Sequence, residues 1–196
     1  MSETAASTVI RQVGGRTIPI VGTWKADPAH SSFEFVARHM MAKVRGRFTS
    51  FTGTVVIAEM PEESSAEFEI ETDSVSTREE RRDTHLRSPD FFNVEKHPTI
   101  SFRSTSVAPG PAHDNHWLLS GELTIIGNTR PVTWEVEFHG ATQDPWGGQR
   151  SAFSAWTEVN REEWALSWNA PLETGGFLLS KNVRLEVDVE LIRQEG

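Results

Sequence analysis

The 196-residue chain contains no cysteine. That excludes disulfide frameworks, thiolate zinc sites, iron–sulfur clusters and cysteine nucleophiles. It also lacks any apolar run of the length that a transmembrane helix needs, so no integral membrane segment is expected. The opening stretch MSETAASTVIRQVGGRTIPIVGT has no signal-peptide core and no basic start before one. A cytoplasmic location is the resulting expectation. Basic residues are in deficit, with 19 Lys and Arg against 28 Asp and Glu, a net charge of -9. An acidic surface repels phosphate backbones and anionic lipid headgroups, which argues against nucleic acid and electrostatic membrane partners. Internal repeats and low-complexity linkers are missing as well. The length suits one domain, placed at 23–193, behind a loosely ordered N-terminal extension at 1–22.

What the chain does have is alternation, the period of a half-buried strand. Val183, Leu185, Val187, Val189 and Leu191 alternate with Arg184, Glu186, Asp188 and Glu190. Val132, Trp134, Val136 and Phe138 alternate with Thr133, Glu135, Glu137 and His139, and Ala66, Phe68 and Ile70 with Glu67, Glu69 and Glu71. Five weaker strands are read at 31–38, 44–58, 99–106, 116–127 and 150–160. Turn signals separate them at Pro109-Gly110-Pro111, Gly127-Asn128 and Asp144-Pro145-Trp146-Gly147-Gly148. Eight successive strands predict an all-β, antiparallel up-and-down barrel, which leaves no free edge. A sandwich is the rival architecture.

One segment breaks the pattern. Residues 78–87 are rich in helix formers and predict one short helix, with Thr77 as N-cap, Glu80 completing a capping box and Pro89 as the stop. Arg161 to Trp164 predicts a single further turn.

An eight-stranded lumen is either filled by side chains or holds one ligand. The inward faces mix large groups (Phe33, Phe35, Phe68, Trp134, Phe138, Phe153) with small ones (Ala37, Ala66, Gly121, Ala155). Ile70, Phe102, Leu123 and Val136 complete the expected lining. The same residues also fit a closed, interdigitated core, and alternation does not choose between the two.

The polar candidates are few. His39 ends a strand and reads as a hydrogen-bonded structural histidine, with contact to a ligand head as the functional alternative. Arg82, Asp83 and His85 form the densest polar cluster; Asp83 accepting from an arginine would brace the helix against the barrel. No nucleophile motif stands near them, so no catalytic residue is assigned. His39, His85 and His97 match no zinc spacing, and His113 and His116 suit no regular helix face, so no metal site is expected. Trp24, Trp117, Trp146, Trp156, Trp164 and Trp168 are candidates for the pocket or an interface. The stretch from Trp164 to Gly176 is read as a loop at the barrel mouth.

Three sets of residues, in order along the chain, resemble one family. The first runs Trp24-Lys25-Ala26-Asp27-Pro28-Ala29-His30-Ser31-Ser32-Phe33-Glu34-Phe35, then Arg38-His39, Val44-Arg45-Gly46-Arg47-Phe48 and Phe51-Thr52-Gly53. The second is Thr77, Arg82-Asp83-Thr84-His85-Leu86-Arg87-Ser88, Asp90-Phe91-Phe92 and His97-Pro98-Thr99-Ile100-Ser101-Phe102. The third is Gly121-Glu122-Leu123-Thr124-Ile125, Gly127-Asn128-Thr129-Arg130-Pro131-Val132 and Asn160-Arg161. Together they resemble the YceI-like (polyisoprenoid-binding) family over about 23–192. The resemblance implies a lipocalin-like barrel with a helix and a long apolar pocket for a polyisoprenoid or isoprenoid quinone. It implies a homodimer, and no cofactor other than the bound lipid. His39, Arg82 and His85 become candidate headgroup contacts. Many members are periplasmic, and the chain departs from them in its opening residues. It departs again where members carry Phe-Gly after the Asn-Arg pair, having Glu162-Glu163-Trp164-Ala165 instead. Carriage without chemistry is the leading reading. An enzyme acting on a lipid or quinone headgroup and a ligand-free interaction module are the alternatives.

Overall fold

Alternating apolar and charged residues make each strand two-faced, and closing the sheet buries one face of all of them at once. A computed structural model describes residues 9–173 and 175–195. In chain order the strands are β1 (Ile10–Val13), β2 (Arg16–Pro19), β3 (Gly22–Ala26), β4 (Ser32–His39), β5 (Ala42–Phe48) and β6 (Phe51–Ile57). There follow β7 (Ser65–Glu71), β8 (Val75–Ser76), the helix α1 (Glu80–Arg87), β9 (Thr99–Pro109), β10 (His116–Ile125), β11 (Asn128–Gln143), β12 (Gln149–Asn160) and β13 (Leu179–Arg193).

The pairings are all antiparallel and run in sequence order around the ring. β3 and β4 act as one interrupted strand along β13, and β5 and β6 as one interrupted strand along them. From there β6 pairs β7, β7 pairs β9, and β9 to β13 follow as a meander. Because β13 contacts both β12 and the β3–β4 pair, the sheet closes into an eight-stranded barrel. The stretch read as one strand at 44–58 is therefore one strand with a kink at Thr49-Ser50, where Ser74 reaches across to the Thr49 amide at 3.1 Å. β3 went unread because Gly22–Ala26 offers a single large apolar residue, Trp24, and so too little alternation to count.

The N-terminal expectation needs correction over residues 9–22. β1 and β2 form a hairpin whose Gly14 and Gly15 have φ of 58° and 80°, the left-handed pair that a type I′ turn requires. Val9 and Ile18 are buried. The hairpin is fixed by Arg11, whose guanidinium donates to the Glu59 carbonyl at 2.8 Å and to that of Ala58. Residues 1–8 lie outside the described residues. The β10–β11 turn also shifts by one, to Ile126-Gly127, with φ of 42° and 76°. Asn128 is thereby freed, and its amide donates to the carbonyl of Trp164 at 3.2 Å.

The two ends of the barrel differ. One is closed by a cluster of Val9, Trp24, Ile57, Val189 and Leu191. On the outside of that end, Arg150 donates to Asp27 at 2.9 Å, to Asp144 at 2.8 Å and to Glu190. Asp27 also accepts from His30 at 2.8 Å. These bonds, that of His30 first and Arg150 next, lower the Asp27 pKa from 3.8 to about 2. A carboxylate depressed in the folded state stabilises fully above its unfolded pKa and loses that contribution as pH falls through the folded one. Wild type is therefore expected to exceed Asp27→Asn in urea resistance above pH 3.8, with the gap closing as the pH approaches 2. A gap independent of pH would show that the charge is not what matters. Asp27, His30 and Glu190 also lie close enough to ligate an ion, but the Arg150 guanidinium already neutralises two of them.

Candidate functional site

The lumen is open. A cavity of about 580 Å³ runs from the closing cluster to the opposite end, within the range of small-molecule sites. Phe33, Phe35, Ala37, Phe68, Ile70, Phe102, Leu123, Trp134, Val136, Phe153 and Ala155 all line it, as does Ala66. Phe138 does not. It faces inward but is buried against Phe153, at 5.1 Å between ring centroids, just before the β11–β12 register shift between Phe138 and Gly140. Alternation located the face correctly, but depth along the axis is not contained in a two-residue period.

Along the wall of the lumen, aromatic rings pack closely over glycines of the neighbouring strand. Gly46 pairs with Phe35 and Gly53 with Phe68 across the ladder. A β-carbon at Gly46 would stand 2.2 Å from the Phe35 ring, and one at Gly53 would stand 2.2 Å from that of Phe68. Gly121 plays the same part for Phe102 at 2.6 Å, but a β-carbon there also meets the Arg103 carbonyl oxygen at 2.4 Å. Glycine thus does not leave the gap itself; it lets a ring lie against the wall. Gly53→Ala is expected to fold and to push the Phe68 ring into the lumen, weakening uptake of an apolar fluorescent probe. Gly121→Ala forces backbone apart and is expected to lower unfolding free energy by about 1–3 kcal/mol. Urea unfolding and probe-uptake titrations on both variants check this contrast. Equal effects in the two assays would contradict it.

The far end is the mouth. There α1 crosses the rim, with Leu86, Phe91, Phe92, Trp164, Leu166 and Trp168 forming its apolar walls. The helix starts differently from expectation. Its N-cap is Glu79, whose carboxylate accepts from the amides of Arg81 at 3.2 Å and Arg82 at 2.8 Å. Thr77 is not available for capping because Asp83 takes both its amide, at 2.7 Å, and its hydroxyl, at 2.5 Å. The brace is thus an Asp–Thr pair rather than Asp–Arg. Arg82 completes it from the other side, donating to the Thr77 hydroxyl at 2.7 Å and carbonyl at 3.1 Å. Asp83 itself is buried.

All three headgroup candidates reach the cavity at this rim. His85 pairs with Asp90 at 2.9 Å and stands edge-on to Phe91 and Trp168, at 5.0 and 4.6 Å. His39 departs from its reading as a hydrogen-bonded structural histidine. Among the described residues its ring has no hydrogen-bond partner, and it faces the mouth at the β4–β5 turn.

The tryptophans divide by position. Trp117, Trp164 and Trp168 line the cavity, whereas Trp24 sits in the closing cluster. Trp156 lies outside, stacked parallel to His116 at 6.3 Å, and Trp146 is 87% exposed on the β11–β12 loop. Trp164 ends a 3-10 turn over Arg161–Trp164, as expected at that position, and its indole donates to the Leu123 carbonyl at 2.9 Å. Lining that the sequence reading did not name includes Phe48, Ile100, Leu119, Leu185, Val187 and Arg161. Leu185 and Val187 belong to the clearest alternating strand and were legible there. Arg161 carried no such signal.

No helix among the described residues is long and apolar enough to cross a membrane. A family model described as YceI-like domain matches residues 24–191. A UPF0312 protein of Staphylococcus aureus (strain USA300) is 36% identical over 168 residues, covering 84% of this chain and 94% of its own. BcnA of Burkholderia cenocepacia superposes with a TM-score of 0.73 at 20% identity, over 84% of this chain and 98% of that one. A polyisoprenoid binding domain from Saccharophagus degradans, implicated in plant cell wall breakdown, superposes at 0.62 and 15% identity, over 89% of this chain and all of that one.

Proposed function

The chain belongs to the YceI-like family, and from that premise we propose that its lumen binds and carries, or stores, one elongated apolar isoprenoid lipid. The observation that carries this reading is the continuous apolar cavity inside a closed barrel. A lumen of this volume weighs against a solid interaction module, because native interiors are otherwise close-packed. The likeness to a polyisoprenoid binding domain supports the isoprenoid class.

Burial of methylenes contributes about 0.8 kcal/mol each. A tail of roughly thirty carbons then has a gross driving force of about 20–25 kcal/mol on the same scale. Ordering the chain and losing its free translation offset much of that. The remainder supports retention through purification.

The reading includes no chemical step. At the rim Arg82 is engaged with Thr77 and His85 with Asp90, which are bracing contacts rather than an acid–base pair aimed at a substrate. The homodimer implied by the family resemblance belongs to the same proposal, and light scattering on the purified protein tests it.

Solvent extraction and mass spectrometry of purified protein test the function. An isoprenoid lipid near one per chain is the expected result. Protein that is lipid-free when purified and takes up no added isoprenoid would overturn it.

A further inference from the structure

We propose that the lipid ends in an anionic oxygen group and that Arg161 is its counter-ion in the lumen. This deepens the carrier reading above and rests on it.

Arg161 directly follows β12 and opens the turn at the mouth. Its side chain lines the apolar cavity, and the residue is only 6% exposed. A guanidinium has five N–H donors and stays protonated in proteins. Nε donates to the Ser180 carbonyl at 2.9 Å. Nη1 donates to the carbonyls of Trp168, at 3.0 Å, and Leu166. These bonds hold the guanidinium in place and tie the mouth loop to β13. Nη2 is buried and has no hydrogen-bond partner among the described residues.

Nor does any carboxylate there lie within ion-pair distance of Arg161. Its acidic neighbour Glu162 is paired with Lys181 at 2.9 Å. Burial pushes the Arg161 pKa down, with only the field of Glu162 opposing it. A buried charge without a partner is costly, and neutral carbonyls compensate it only in part. An anionic ligand oxygen would supply both the missing acceptor and the missing charge. A hydroxyl would supply only the acceptor, and a hydrocarbon end neither.

The carboxylates at the rim are engaged elsewhere and leave Nη2 free: Glu79 caps α1, Asp83 holds Thr77, and Glu34 and Glu186 share Arg45. Because Nε and Nη1 are already used, the contact is one-point rather than a bidentate fork. It fits a single oxygen of either a carboxylate or a phosphate.

Three ligands with the same tail separate these possibilities: farnesoic acid, farnesyl monophosphate and farnesol. Each is titrated by calorimetry into lipid-stripped full-length protein, with inorganic phosphate and acetate as tail-free controls. The acid, the monophosphate or both are expected to bind at least about tenfold more tightly than the alcohol, as charge-assisted bonds do. The ratio between the first two identifies the natural class. Arg161→Met keeps the apolar stem and is expected to level all three. Arg161→Lys is expected to keep part of the preference and serves if the methionine variant does not fold. Binding of all three ligands without preference in wild type, or a preference that survives in Arg161→Met, overturns this inference alone. Tail-free anions binding as tightly as the lipids would do so too. Failure of every ligand to bind overturns the carrier reading, and this inference with it.

Discussion

Ala155→Trp is expected to fold normally and to lose its lipid. Ala155 lies on β12 between Val136 and Val187 and faces the lumen at its waist. In a close-packed core, placing an indole on an alanine would cost well over the 1–3 kcal/mol or so typical of overpacking. Here the cavity accepts it, so urea unfolding should change by less than about 1 kcal/mol on that scale. The indole blocks the axis along which a tail must lie. If about five methylenes are excluded, affinity falls by about 4 kcal/mol, on the order of a thousandfold. Calorimetric titration with an isoprenoid, beside urea unfolding of the same preparation, reads both effects. Severe destabilisation would mean a filled lumen, and unchanged affinity would place the ligand elsewhere.

The largest effect on stability is expected at Trp24. Its side chain is completely buried, within the cluster of Val9, Ile57, Val189 and Leu191 that closes one end of the barrel. Trp24→Ala is expected to cost about 3–5 kcal/mol, a large share of the roughly 5–15 kcal/mol that holds a domain together. The indole N–H of Trp24 has no hydrogen-bond partner among the described residues, whereas that of Trp164 donates to Leu123. Trp24→Phe should accordingly cost less than Trp164→Phe, where a buried carbonyl loses a donor. Denaturant midpoints of the variants decide this, and the reverse order would contradict the assignment of the two indoles.

Much of the fold was legible because a two-residue period specifies which side chains share a face. β13, β11 and β7 declare themselves that way, and so does nearly all of the lining. What alternation lacks is position along the barrel axis, hence the misplacement of Phe138 beneath Phe153. It also cannot register short strands such as β3, or a hairpin like β1–β2 whose main signal is Gly14-Gly15. Phe35, Phe68 and Phe102 lie over Gly46, Gly53 and Gly121 through contacts between neighbouring strands. No local pattern encodes them. In the sequence Arg161 is half of an Asn-Arg pair and the start of a single turn, neither of which marks it as a lumen residue. An arginine in a sequence reads as surface, and only the closed barrel shows it buried with a donor to spare. The Asp83–Thr77 brace was half legible: the buried carboxylate was expected, but its partner was not.

The central claim is that a lipid lies within the barrel, along its axis, with its tail among Phe33, Phe68 and Trp134 and its head at the mouth. A crystal structure of protein loaded with a defined isoprenoid tests this most directly. Continuous elongated density through the cavity, ending beside Arg161, is the predicted result. An empty lumen, or a ligand bound on the outer face of the sheet, would contradict it.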